Sequence, residues 1–440
     1  MPSVLTITTQ EMSSPENRLK YTVGVVGCGQ RGIFYANLFA EAGFKVTCSD
    51  ADQSLVKKLA KGKSVFADLE LEKKLKNHIA NGKLKVSTEI KDTVSKSDIT
   101  VVAIPVKIDE RKCSDSKDVV NACKQIGSAL HLGSMVIYGE ISGVGLFVGA
   151  IKETLENSSG LKVGKDFCLA YAPLPVGTQN LEFKVVATDP ASLNVASALL
   201  SAISKNVAPI SDVKTAELTQ LFQAVKADLQ TALANELAVY CENAGVDYFE
   251  VTKLLNLGAD FFPAVVDEKG SSEIYLLLES AEGLNAKLRL PALARQINEE
   301  MIKHGAALTQ EALRSCGKTL RRVRVTVFGE VNSHSSTEQF AKLLTQKGAK
   351  AAVYDPLLSR TEALEASGLL KKTLNEAVEG ADCIVILSAL EQFKRLNLKK
   401  LHTMMKSPAA IVDLVGVVEP EKVEAEGFIF RGLGKGLRKN

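Results

Sequence analysis

A chain of 440 residues is longer than one hydrophobic core usually organises, so two or three domains are expected. Its 54 basic and 51 acidic residues leave a formal charge of +3, too weak a field to point to nucleic acid or a membrane surface as a partner. Eight scattered cysteines, with no CxxC pair and no histidine at ligand spacing, predict no metal site, reduced thiols and a cytoplasmic protein.

Residues 1–20 lack a charged start followed by a long apolar run, so they read as a flexible tail and not a secretory signal. No later apolar run approaches the roughly 20 residues a spanning helix needs, and a soluble protein is expected. From Tyr21 the order is strand (YTVGVVG), glycine turn (CGQRG), helix (IFYANLFAEAGF) and strand (KVTCSD), a βαβ unit. Further apolar runs at 99–105, 134–140, DFCLAYAP and FKVVATD alternate with helical stretches, predicting a doubly wound sheet over 21–211. The segment TAELTQLFQAVKADLQTALANELAVYCENAG keeps helical spacing for some 30 residues and meets a C-capping glycine at Gly245. At 1.5 Å per residue that is a rod of about 45 Å, suited to joining two domains or to packing on a copy of itself. A helical middle region is thus expected over 212–317. Strand–helix alternation resumes with RVRVTVFGE, KAAVYDP, ADCIVILSA and AAIVDLV, giving a second Rossmann-like domain over 318–440. The fold class is α/β, two Rossmann-like domains joined by a long central helix and a helical middle region. The polar ending, RGLGKGLRKN, reads as solvent-exposed.

Gly27-Cys28-Gly29-Gln30-Arg31-Gly32 stands between a buried strand and a helix, the context that gives GxGxxG meaning. Gly27 allows the tight turn, Gly29 the approach of a pyrophosphate, and Gly32 close packing of helix on strand. The anion would sit at the helix N-terminus. Asp50, 18 residues after Gly32 at a strand end, suits an adenosine ribose and repels a 2′-phosphate, so NAD is expected over NADP. Retention of the glycines for packing alone is the competing reading. Arg31 is expected to be a solvated charge or a neighbour of the phosphates.

Several stretches, in order from residue 21 to the C-terminus, resemble the UDP-glucose/GDP-mannose (nucleotide-sugar 6-) dehydrogenase family, and its UDP-N-acetylmannosamine branch in particular. They are the Gly27–Gly32 turn with Asp50, AELTQLFQAVKADLQTALANELAVYCENAGVD, PALARQINEEM, GAKAAVYDP, ADCIVILSALEQF and VDLVGVVEPEKVEAEGFIFRGLGKG. The resemblance implies an N-terminal NAD domain, a central helix that makes a homodimer, and a C-terminal domain for a nucleotide sugar. It also implies a two-step, four-electron oxidation of a C6 alcohol through a thiohemiacetal. That chemistry needs a thiolate. The matching stretch, GADFFPAVVDEKGSSEIYLLL, contains none, and no cysteine lies between Cys241 and Cys316.

Other positions of the family's pattern have also changed. Gln220 and Ala224 stand for the helix's Lys and Asn, and Lys226 is about 120° around from Gln220. Leu174 and Pro175 replace a Glu and an Arg. Ile104-Pro105-Val106-Lys107 and Glu140-Ile141-Ser142-Gly143-Val144-Gly145 replace the Val-Pro-Thr-Pro and Ser-Thr-Val-Pro-x-Gly elements, and a basic substrate loop is shortened to Glu330–Thr337. The expectation is a catalytically degenerate member with no catalytic residues. It would keep NAD, exist as a homodimer or a heteromer with an active relative, retain a nucleotide-sugar ligand if any, and regulate or scaffold polysaccharide precursor synthesis. The alternative is an active NAD-dependent oxidoreductase with a non-standard site, either a nucleotide-sugar dehydrogenase or a two-electron variant, and for the latter Glu140, His304 and His334 are the candidate bases.

Overall fold

Val23, Val25 and Val26 and the whole run Ile99–Val102 are buried, as strands covered by helices on both faces must be. The computed structural model describes residues 4–62, 69–174, 181–258, 261–265, 271–331, 336–356 and 368–436. The chain forms two compact units, Met1–Val225 with Ser272–Lys287, and Lys226–Ser271 with Leu288–Asn440.

In the first unit the strands are β1 (Thr22–Val26), β2 (Lys45–Ser49), β3 (Leu84–Ser87), β4 (Ile99–Val102), the small hairpin pair β5 (Lys107–Ile108) and β6 (Ser114–Asp115), then β7 (Met135–Tyr138), β8 (Cys168–Tyr171), β9 (Glu182–Ala187) and β10 (Asn206–Pro209). Eight of them make one sheet in the order β10-β9-β8-β7-β4-β1-β2-β3. The order reverses between β1 and β4, and the crevice beyond their carboxyl ends is where a doubly wound sheet receives ligands. One departure from the expected pattern is β9, which runs antiparallel to β8 with Ala170 opposite Ala187. The short β3 and β10 were not anticipated, being too short and too polar to give an apolar run.

The expected flexible tail is instead part of this unit. Val4, Ile7 and Met12 are buried in the same core as Val195 and Leu199 of the helix Pro190–Ser201. Arg18 donates to the carbonyls of Met12, Ser13 and Ala42, and the Val4 amide donates to the Gly133 carbonyl at 2.9 Å. Three apolar side chains and a guanidinium that collects three carbonyls outweigh the polar composition that suggested disorder.

The long helix is Val213–Ala244, and Gly245 follows it with φ +74. The helical middle region expected over 212–317 is not a unit of its own: residues 213–225 and 272–287 belong to the first unit and the rest to the second. In the second unit the helix Arg289–Ser315 is fixed to the long helix by a buried polar network. Arg295 Nη1 lies 2.6 Å from Asp228 Oδ1, Asn298 Nδ2 donates to the same oxygen at 2.8 Å, and Asn235 Nδ2 donates to Asn298 Oδ1 at 2.8 Å. A buried pair is strongly destabilising to break because its survivor is left uncompensated. The strands β11 (Arg324–Phe328), β12 (Lys350–Tyr354), β13 (Cys383–Ile386), β14 (Ala410–Asp413) and β15 (Ile429–Gly432) form a fully parallel sheet in the order β12-β11-β13-β14-β15.

Candidate cofactor site

The glycine turn joins β1 to the helix Gln30–Glu41, and its three glycines are required for different reasons. Gly27 has φ +100, and a Cβ there would overlap the Ala103 carbonyl; a Cβ on Gly32 would overlap the carbonyl of Gly27. Both are packing requirements of the fold. Gly29 is different: its φ of −65 suits any residue, and a Cβ there would meet nothing within 4 Å. The space above it is open, and the helix has no side-chain cap. Among the described residues the amides of Gly29 to Gly32 have no protein acceptor, as is usual for the first turn of a helix, and they stand at its positive end. Asp50, just past β2, is oriented by two amides, from Cys28 to Oδ2 at 2.7 Å and from Asp52 to Oδ1 at 2.9 Å. Each oxygen retains a lone pair for a ribose hydroxyl. Gln30 is exposed at the mouth of the turn. The open cradle, the free amides and the carboxylate together fit a dinucleotide, with Gly29–Gly32 on the diphosphate and Asp50 on the adenosine ribose.

Two members of the turn point elsewhere. Cys28 is fully buried, its sulfur directed under the turn to within 2.8 Å of Cys48 Sγ and away from the open face. The Arg31 side chain is not the solvated charge expected: Nη1 lies 2.6 Å from Glu140 Oε2 and Nη2 3.1 Å from Glu273 Oε1. Glu140 is accordingly no free base. It is buried two residues beyond β7, where burial pushes its carboxyl above the ordinary range while Arg31 pulls it down.

The loop that follows is held by Glu217, on the first turns of the long helix. Its carboxylate accepts from Ser142 Oγ at 3.1 Å and from the amides of Gly145 and Phe147 at 2.7 and 3.3 Å. Burial pushes this carboxyl up, against the pull of those donors. Neither Glu217 nor Glu273 was singled out in the sequence. The signal for Glu217 was a charge between Ala216 and Leu221 on the apolar face of a helix; Glu273 offered none.

Of the remaining sequence candidates, Gln220 is buried with Oε1 unpartnered, Ala224 and Leu174 are buried, and Lys226 is exposed to solvent. His304, a candidate base, is partly buried in the second unit, with its Nε2 2.8 Å from Glu242 Oε2. His334, Pro175, residues 332–335 of the shortened loop and the last four residues lie outside those described. All eight thiols are free, and Cys113, in the β5–β6 hairpin, is the exposed one. In the second unit a cavity of about 230 Å³ lies at the carboxyl ends of β14 and β15, lined among others by Phe249, Phe262, Asp413 and Lys435.

A mostly parallel sheet whose first crossover carries an open glycine turn, followed by a carboxylate at the end of β2, defines a protein of the NAD-dependent dehydrogenase class. Three patterns of one family match along the chain: the NAD binding domain of the UDP-glucose/GDP-mannose dehydrogenase family over residues 21–186, its central domain over 214–300 and its UDP binding domain over 333–420. The chain belongs to that family, and its cofactor is NAD. It is 26% identical to the UDP-N-acetyl-D-mannosamine dehydrogenase of Pyrococcus horikoshii over 94% of this chain and 99% of that protein. It is 24% identical to the UDP-glucose 6-dehydrogenase TuaD of Bacillus subtilis over 94% and 93%. Among solved structures, the Pyrococcus horikoshii enzyme superposes with a TM-score of 0.78 at 25% identity, covering 94% of this chain and 99% of that one. An NDP-N-acetyl-D-galactosaminuronic acid dehydrogenase from Methanosarcina mazei superposes with a TM-score of 0.70 at 26% identity, covering 98% of each.

Proposed function

We propose that this chain binds NAD but has lost the oxidation that its relatives' names describe, and that it serves as a regulatory or scaffolding subunit in polysaccharide precursor synthesis. The observation that carries the reading is the position of sulfur. No cysteine lies between Cys241 and Cys316, and the one thiol in the dinucleotide turn, Cys28, is buried against Cys48. An aldehyde formed by a first hydride transfer would have no thiolate to hold it for the second. Gln220 and Ala224 offer no cation to stabilise a developing oxyanion, a loss that commonly costs about 10²- to 10³-fold in rate.

The partner is a second copy of this chain or an active relative, met along the long helix. Leu233, Leu237 and Tyr240 are exposed on one face of it at helical spacing, an apolar stripe of the kind that marks an interface. No helix among the described residues is long and apolar enough to cross a membrane, in keeping with a cytoplasmic site of action.

Incubation of the purified chain with NAD and UDP-N-acetylmannosamine, UDP-glucose or GDP-mannose tests the reading. No NADH absorbance above the enzyme-free rate is expected, alongside saturable NAD binding by calorimetry. Steady NADH production with any of the three sugars overturns it.

A further inference from the structure

Asp50 and the free amides of Gly29–Gly32 fix where the adenosine ribose and the diphosphate lie. A dinucleotide laid across the switch point from there must place its second ribose and its ring over the carboxyl ends of β4 and β7. At the carboxyl end of β7 three of the chain's own side chains meet. Arg31 reaches over from the first turn of the helix Gln30–Glu41. Glu140 comes from the segment just beyond β7, and Glu273 from the helix Ser271–Gly283. The guanidinium is 2.6 Å from Glu140 and 3.1 Å from Glu273, and the three side chains are only 27%, 5% and 11% exposed.

The contributing helix is itself fastened to the unit. Glu279 Oε2 accepts the Ser114 amide at 3.1 Å, and Lys112 Nζ lies 5.0 Å from the centre of the Tyr275 ring. Opening the cluster to admit a ring would strand charges that are mostly out of water, a strongly unfavourable change. It also follows that the Arg31 guanidinium is engaged away from the diphosphate, which is left to the backbone amides.

From this we infer that the Arg31–Glu140–Glu273 cluster closes the nicotinamide half of the site, so that the chain recognises the adenosine-diphosphate-ribose part of its cofactor and leaves the ring in solvent. The inference rests on the NAD-binding reading above and goes beyond it. It makes ADP-ribose, oxidised NAD and NADH equivalent ligands, and it removes the geometry any hydride transfer needs, independently of the missing thiolate.

Calorimetric titration of the full chain with each of the three compounds, at one salt concentration, provides the test. Dissociation constants within about threefold of one another are expected. If either NAD form binds more than about tenfold tighter than ADP-ribose, the ring has a site of its own and the inference falls while NAD binding stands. If none of the three binds, the NAD-binding reading itself falls and takes the inference with it. A second readout needs no variant: NADH fluorescence at saturation is expected to keep the intensity and wavelength of free NADH. A blue-shifted, enhanced emission would place the ring inside the protein and overturn the inference.

Discussion

Gly29→Ala separates the glycines that the fold needs from the one a ligand needs. The φ of −65 at Gly29 is accessible to alanine, and the added methyl meets no protein atom within 4 Å, so the unliganded fold has no objection to it. Replacing Gly by Ala at a compatible site stabilises by about 0.4–1 kcal/mol through the unfolded chain, which is offset because Gly29 is the N-cap and alanine the poorer cap, so a melting temperature close to that of the wild type is predicted. The methyl does, however, project into the space a diphosphate must enter to reach the amides of Gly29–Gly32. Losing one or two charge-assisted amide bonds costs about 1.5–3 kcal/mol, roughly 10- to 150-fold in Kd for NAD. Gly32→Ala is the control, because its methyl overlaps the Gly27 carbonyl and must lower the melting temperature. The assay is a thermal melt with and without NAD, followed by calorimetric titration. Wild-type affinity in Gly29→Ala would refute the assignment of this turn as the diphosphate cradle.

Two further predictions concern other parts of the molecule. Burial raises the Glu217 carboxyl above its ordinary 4.5, so its protonated form suits the folded state better and that contribution fades as pH rises through the folded value. Glu217→Gln should therefore gain ground on the wild type as pH rises from 4 to 7 in matched denaturant titrations; a difference independent of pH would contradict the assigned burial. Leu237→Lys, on the exposed stripe of the long helix, tests the proposed self-association: the mass measured by light scattering should fall from that of a dimer to that of a monomer, with helicity retained. An unaltered mass would move the interface elsewhere.

Much of the fold was legible because it is written in local patterns. The apolar run before Gly27 and those at β4, β7, β13 and β14 show the near-continuous hydrophobicity that two-sided burial demands. The long helix was delimited to within a few residues by its period and Gly245. Polar residues were harder. Residues 1–20 looked like a tail because Val4, Ile7 and Met12 are spaced too widely to form a run, yet each is buried. Arg31 reads as solvated because nothing near it in sequence is a partner; Glu140 and Glu273 lie 109 and 242 residues away.

The site divides the same way. The sequence by itself determined that there is a dinucleotide turn with a carboxylate after it, and that no thiol stands in the segment between Cys241 and Cys316, since both depend only on which residues follow one another. Only the tertiary structure decided that Gly29 is open while Gly27 and Gly32 are packed, that Cys28 turns down to Cys48, and that Arg31 is clamped between two carboxylates. The reason is topological. Parallel crossovers bring the end of β7 to Arg31, and the return of the chain into the first unit at Ser272 brings Glu273; spacing along the chain carries no record of which distant side chains will meet at one point.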